Sequence, residues 1–540
     1  MAEMTQAPNE PTPPTRAATV MGVATAASRG IGLVRIAVVA AVLGTTYIGS
    51  TYQASNSVSN VLFELLAAGA LSAVLVPTFV RHIERDDEGE AERLASGVLG
   101  LALVVLGAIA IIGFVLAPQI ARLIAIDGPT AAIRDQQADL GTYLTRFFVF
   151  QVPLYGIGTV ATAVLYAKRR FVATAMAPIA NTVAVVASLI VFRVMAGPHP
   201  TLHLDSGERL TLALGATLGV VGFVGVPVVA LARTGFRLRP RIARPDARLR
   251  QLLKLSTWAV FQHGGIGILL GTAIVIGNGV KGGVLAYQFA FVAIMAPYAI
   301  LAQPVHTTIL PELANDAEAG NRERFATQLR WALDNMAVLI VPVSAGIVAL
   351  ALPAMRVVAF GASKGGAGVL AAALASLALG LFPYSTFLLF ARASYALGDS
   401  KTPALIALMT AVVGAAFMVV VGTAVHGDAV VGALGIGHTI AYTLGAVFMG
   451  IQLRRRLGHP IFPFALVRTT IIAGTLGTAA WFAHQEIKPS HRTEALAFLA
   501  VAGVVGGGLY LLALRASRRR LHTLAPPVDL ATDPDTALDT

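Results

Sequence analysis

Long apolar runs, separated by short polar or charged segments, fill almost the whole chain. About fourteen of them reach the roughly 20 residues that an α-helix rising 1.5 Å per residue needs to cross a bilayer. They lie near 17–44, 51–80, 94–117, 140–167, 172–196, 210–233, 252–278, 284–311, 327–352, 368–397, 402–425, 429–453, 465–485 and 494–515. The pattern predicts an all-α polytopic membrane protein with about 14 transmembrane helices. Residues 1–16 and 516–540 are polar and proline-rich and are expected to be disordered tails.

The intervening loops set an orientation. Those after even-numbered runs carry Arg81, Arg85 and Arg93, then Lys168 to Arg170, then a dense basic stretch from Arg233 to Lys254, and later Lys401 and Arg454 to Arg456. About 25 basic residues fall on that side against about 8 on the other, which by the positive-inside rule places both termini in the cytoplasm.

The chain also repeats itself at an offset of roughly 230 residues, too long for a solenoid period. Tyr52–Gln53 followed by Pro77 is echoed by Tyr287–Gln288 followed by Pro311. Pro118 with Arg122 is echoed by Pro353 with Arg356, and Tyr166–Ala167 by Tyr395–Ala396. An even number of spans per copy gives parallel repeats around a central cavity. The expected organisation is an N-terminal six-helix lobe at 17–233, a basic cytoplasmic linker at 234–251, a second six-helix lobe at 252–453 and two extra helices at 465–515.

Composition agrees and narrows the function. The 540 residues are 56% hydrophobic and 13% charged, with a mean hydropathy of +0.74; soluble domains carry about 25% charged residues. The net charge of +12 sits in short loops and not on an aromatic-interleaved face, so it reads as a topology signal with no nucleic-acid partner. The absence of cysteine removes disulfides, thiol catalysis and cysteine-ligated metals. Carboxylates are scarce in the spans and GASKGGAG at 361–368 lacks the ending of a phosphate-binding loop. A transporter is expected, without catalytic residues, cofactor or metal.

Candidate chemistry centres on the first two runs. Arg29 and Arg35 stand inside an apolar span, where a guanidinium costs about 2.5–3.5 kcal/mol on insertion scales. Six residues apart, they point roughly 120° from each other around a helix. They read either as cavity residues holding an anionic group, which suits the arginine fork, or as a snorkelling or ion-paired set with Glu64. Glu64 could equally be a proton or cation site. Asn56, Ser57, Ser59 and Asn60 form a polar stretch that serves interhelical hydrogen bonds or a cavity lining. Of the further polar residues in or near spans (Arg146, His263, Gln303, His306, Asp334, Arg392 and His438), Arg146, His306 and Arg392 are the ones worth mutating. Prolines recurring within spans predict bent helices.

With these residues in view, the sequence resembles the MurJ (MviN) lipid II flippase family of the multidrug/oligosaccharidyl-lipid/polysaccharide exporter superfamily. The resemblance rests on SRGIGLVR at 28–35, NVLFELLAAGALSAVLVP at 60–77, RRFVATAMAPIAN at 169–181 and, most specifically, RASYALGDSKTP at 392–403. It implies two six-helix lobes around a cationic cavity and a groove between the last two helices for a long lipid tail. By alternating access, an undecaprenyl-pyrophosphate-linked peptidoglycan precursor would pass from inner to outer leaflet. Arg29 and Arg35 fall on family positions that hold the pyrophosphate; Asn60, Glu64, Arg146, His306 and Arg392 complete the candidate substrate-binding set. Cell-wall synthesis proteins are candidate partners. The chain departs from the family pattern at Ile36 and Ser50, where an acid is common, and at Glu64 and near Val292, where an arginine is. A cation-coupled exporter of another lipid-linked glycan or of amphipathic small molecules is the alternative; a non-transporting membrane scaffold is a third reading.

Overall fold

The computed structural model describes residues 30–63, 79, 88–241, 264–489 and 491–518. Every regular element among them is helical. In chain order the helices are α1 (Gly30–Leu43), α2 (Tyr47–Phe63), α3 (Glu88–Ile124), α4 (Ala131–Phe148), α5 (Gln151–Ala167), α6 (Phe171–Ala196) and α7 (Ser206–Ala232). The second half contains α8 (Gly264–Gly277), α9 (Gly283–Pro297), α10 (Gln303–Glu318), α11 (Arg322–Val358), α12 (Ala367–Leu379), α13 (Leu381–Ala396), α14 (Lys401–Ala424) and α15 (Asp428–Leu457). The chain closes with α16 (Phe464–Ile487) and α17 (Arg492–Arg518).

Among the described residues ten helices are long and apolar enough to cross a membrane, or up to eleven if the bent pair α12–α13 is one span. The runs near 17–44, 51–80 and 252–278 are only partly covered by described residues, so the expected fourteen is not settled by this count. Outward-facing side chains such as Ile111, Val194, Val420 and Val504 are exposed, as on helices that are apolar all round and solvated by lipid.

Lipid offers no hydrophobic drive for helices to associate, so close approach and hydrogen bonds take over. Gly215 of α7 lies against Ser188 of α6, Gly414 of α14 against Gly437 of α15, and Gly435 of α15 against Ser376 of α12. In the first half α6 packs on α7, α3 on α4 and α5, and α2 on α4; in the second, α14, α12 and α13 all pack on α15, and α11 on α12. The largest apolar cluster runs from Leu269 to Ile461 and takes in Ile36 from the first half. A separate cluster joins Val39, Leu140, Phe192 and Leu212.

The last two helices dock on α11. Asp334 accepts from the Ala465 amide at 2.8 Å, satisfying one of the unpaired donors at the start of α16. The Tyr510 hydroxyl donates to the Val338 carbonyl at 2.8 Å and ties down α17.

Prolines break the spans at matched places in the two halves. The α4–α5 span is interrupted at residues 149–150, just before Pro153. The α12–α13 pair bends by 42° at Gly380, just before Pro383. Between α9 and α10, a π-turn at Tyr298–Ala302 sits between Pro297 and Pro304; proline cannot donate its amide, and the widened turn absorbs the loss. The GDSKTP turn is a helix start: Asp399 accepts from the Thr402 amide at 3.0 Å and from Arg456 Nη1 at 3.3 Å.

Candidate functional site

A cavity of about 230 Å³ opens within the first half of the chain. One face of α1 supplies Gly32, Arg35, Ile36 and Val39, a spacing that keeps them on one side of the helix. From α2 come Tyr52, Gln53, Asn56 and Asn60, from α5 Tyr155, from α6 Pro178 and Asn181, and from α7 Phe223. Arg35 Nη1 donates to Asn181 Oδ1 at 3.4 Å. The Tyr52 ring meets Phe148 edge-on at 5.9 Å, and Tyr155 lies 5.1 Å from Phe63, so aromatic packing fixes both phenols beside the guanidinium. The described lining contains no carboxylate. A cation whose described surroundings are amides and phenols can take an anionic oxygen from a ligand and surround it with neutral donors.

The polar stretch on α2 divides its labour. Ser57 and Ser59 are hydrogen-bonded inside the protein: Ser57 donates to the Gln53 carbonyl at 2.8 Å, and Ser59 donates to Gln151 Oε1 at 3.2 Å. Asn56 and Asn60 line the cavity.

The candidate residues do not all converge. Arg29, Glu64 and His263 lie outside the described residues. Arg35 and Asn60 share the cavity, whose described lining comes from first-half helices. Arg146 is exposed, stacked on the Phe114 ring at 5.4 Å and away from the cavity lining. Its depth in a span was readable from the sequence, but the side of the helix that meets lipid was not. His306 is fully buried in the second half, edge-on to Tyr298 at 5.9 Å and within electrostatic reach of the half-buried Arg392. Gln53, Tyr155 and Asn181 were missed as cavity residues. Asn181 had a signal, the P-x-x-N of Pro178–Asn181 within a stretch already singled out.

The corresponding region of the second half is nearly filled. A void of about 30 Å³ remains between α8, α13, α14 and α15. Nearby, Tyr287 and His438 Nδ1 are hydrogen-bonded at 2.6 Å, and Tyr442 stacks between His438 at 5.0 Å and Tyr384 at 4.8 Å. No group of three or more metal-ligating side chains occurs among the described residues.

The two halves meet at the end bearing the loops after runs 1, 3, 7 and 9. Ser363 donates to the Ala40 carbonyl, Gln137 Nε2 to the Asn278 carbonyl at 3.3 Å, and Asn278 Nδ2 to the Ile124 carbonyl at 3.2 Å. Gly282, at φ +75°, sits so close to Thr45 that an added Cβ would lie 2.5 Å from the Thr45 Cα. Deeper in, Gln288 Nε2 donates to Ser57 Oγ at 2.5 Å.

A family model described as lipid II flippase MurJ matches residues 39–502. The chain belongs to the MurJ family. Its relatives include a probable lipid II flippase MurJ of Rhizobium tropici, 25% identical over 90% of each chain. Another, of Haemophilus influenzae, is 23% identical over 92% of this chain and 99% of that one. In fold the chain is similar to a solved lipid II flippase MurJ in an inward closed conformation, with a TM-score of 0.73 at 16% identity, covering 93% of this chain and 99% of that one. A multidrug resistance MATE family transporter in an inward-facing conformation matches at 0.62 and 15% identity, covering 80% and 94%. The MurJ fold thus accounts for the all-helical, multi-pass architecture.

Proposed function

We propose that this protein is a lipid II flippase that moves undecaprenyl-pyrophosphate-linked peptidoglycan precursor from the inner to the outer leaflet by alternating access. It is a transporter and performs no covalent step on its cargo. The observation that carries the reading, in a chain of this family, is Arg35, a guanidinium in a cavity whose described lining holds no carboxylate, beside Asn181 and the Asn56–Asn60 face. A pyrophosphate oxygen would supply its counter-charge, and the asparagines would hold its neighbours. Arg29, from the same motif, belongs to the same binding set. Arg392, within electrostatic reach of the buried His306, offers a second cation in the other half, toward which the head group passes.

The six-helix lobes at 17–233 and 252–453 are the moving bodies, joined by the basic linker at 234–251. The placement of basic loops puts both termini in the cytoplasm. On that orientation the contacts at Thr45, Asn278, Gly282 and Ser363 are a seal on the outer face, and the cargo enters from the cytoplasmic leaflet. Cell-wall synthesis proteins would receive the product at the outer leaflet.

The test is complementation of a flippase-depleted strain, with lipid II exposed at the outer surface as the readout. Arg29→Ala and Arg35→Ala are expected to abolish rescue at normal membrane levels. Full rescue by both, or unchanged lipid II exposure on depleting the protein, would sink the reading in favour of another lipid-linked glycan or an amphipathic small molecule as cargo.

A further inference from the structure

A groove runs along the outside of the second half, between α11 and α16, and it changes character along its length. On α11 its floor is Val341, Ala345, Val348 and then Leu352, steps of three or four residues that keep to one helix face. On α16 the matching face is Leu466, Thr470, Gly474, Gly477 and Trp481. The next turn of each helix on those same faces is Arg356 on one side and His484 and Lys488 on the other. An apolar trough thus ends in three nitrogen-bearing side chains at the end of the protein where both helices finish.

We propose that this groove binds an anionic phospholipid, its phosphate at Arg356, His484 and Lys488 and one hydrocarbon chain along the trough. His484 is 4% exposed, and its Nδ1 has no hydrogen-bond partner, although buried polar nitrogens are nearly always paired. Arg356 gives one N–H to the Pro489 carbonyl at 3.1 Å, which leaves the rest of a five-donor fork. No carboxylate is among the described residues that line this end; Glu486, on the same turn of α16, is exposed and outside the lining. Arg492, stacked on Phe360 at 5.1 Å, adds positive charge at the same end.

The length of the trough selects the occupant. From Val341 to Leu352 the helix rises about 16 Å, close to the roughly 15 Å that one leaflet contributes to a 30 Å hydrocarbon core. A phospholipid standing in one leaflet places its phosphate where the basic cluster lies. The cluster is separate from the Arg35 cavity, so the proposal does not depend on which cargo is carried.

Trp481 lines the trough and is 45% exposed, which makes it a reporter. With Trp258→Phe and Trp331→Phe it is the sole tryptophan of the three in the chain. That protein is reconstituted in phosphatidylcholine vesicles doped with nitroxide-labelled phosphatidylglycerol or nitroxide-labelled phosphatidylcholine. Half-maximal quenching is expected at an about tenfold lower mole fraction of the phosphatidylglycerol, the size that basic side chains at a membrane surface confer. Arg356→Gln with Lys488→Gln should bring the two lipids level. Gly474→Leu, which fills open space beside the trough, should remove quenching by both. Equal quenching of the parent protein by both lipids overturns the proposal, and so does a preference that survives the paired glutamines. Loss of the preference on adding inorganic phosphate would mark a free-anion site and overturn it too. Complementation by the paired glutamines is expected to be retained, which separates this site from the cargo cavity.

Discussion

The two halves of this protein carry matching sequence landmarks yet pack around them differently. Tyr52–Gln53 and Tyr287–Gln288 occupy matching places near the start of the second and eighth runs, and Pro153 and Pro383 break matching spans. In the first half Tyr52 and Gln53 border a cavity of about 230 Å³ that holds Arg35. In the second, Tyr287 is buried against His438, and the void left between the corresponding helices is about 30 Å³. One copy kept space and a charge; the other exchanged them for a column of aromatic rings. On the proposed function, the first half holds the principal binding cavity, the second is more tightly packed, and the contacts at Thr45, Asn278, Gly282 and Ser363 relate the two.

The sharpest way to break this contrast is to empty the first half of its charge. Arg35→Ala is expected to remove cargo transport, since a charge-assisted bond to an anion contributes about 1.5–3 kcal/mol, a factor of about ten to a hundred in affinity. Thermal stability in detergent should hold or rise, because a half-buried cation with no carboxylate in its described lining is lost. Arg35→Lys keeps the charge without the fork and should fall between. A variant that loses stability and keeps transport would show that the arginine is structural.

In the second half the expectation reverses. Tyr287→Phe removes the hydroxyl partner of His438 and leaves a buried ring nitrogen unpaired, at a cost of about 1–3 kcal/mol. Its melting temperature should fall, while transport per folded molecule changes little. If transport falls more than stability, the aromatic column carries part of the mechanism and the division of labour fails.

A smaller effect is expected at Asn181, whose Oδ1 orients Arg35 from 3.4 Å. Asn181→Ala should weaken cargo binding by about fivefold, the size of one ordinary hydrogen bond of about 1 kcal/mol, and Asn181→Asp should weaken it further by neutralising the cation. Equal activity of both variants with the parent would detach Asn181 from the site.

Much of this was readable from the chain itself, because a bilayer makes sequence patterns stringent: spans must be apolar and backbone groups internally paired. The helical, multi-pass class followed from that stringency, Arg35 stood out as a charge within an apolar run, and the GDSKTP turn was visible as a motif before Asp399 explained it. What stayed hidden was rotation. Arg146 and Arg35 are both arginines within apolar runs, and their sequence surroundings do not say which faces the cavity and which stacks, exposed, on Phe114. In a helix that is apolar all round, no polar stripe fixes the inward side. The tighter filling of the second half was hidden for a related reason, since it depends on how Tyr384, Tyr442 and His438 interlock across helices.

The finest test uses the matched glutamines. Gln288 donates across the halves to Ser57 at 2.5 Å, whereas Gln53 lines the cavity of its own half. The chain has no cysteine, so Thr45→Cys, buried at the seal beside Gly282, gives a single labelling site. Gln288→Ala should raise its reaction rate with a membrane-impermeant maleimide by about fivefold, as expected for the net loss of one hydrogen bond of about 1 kcal/mol from the closed state. Ser57 keeps its own bond to the Gln53 carbonyl, so the change isolates the contact between halves. Gln53→Ala in the same background should leave labelling unchanged and lower cargo binding instead. An equal rise in labelling from both variants would mean that the cavity and the seal are one cooperative unit, and that the halves differ in filling but not in role.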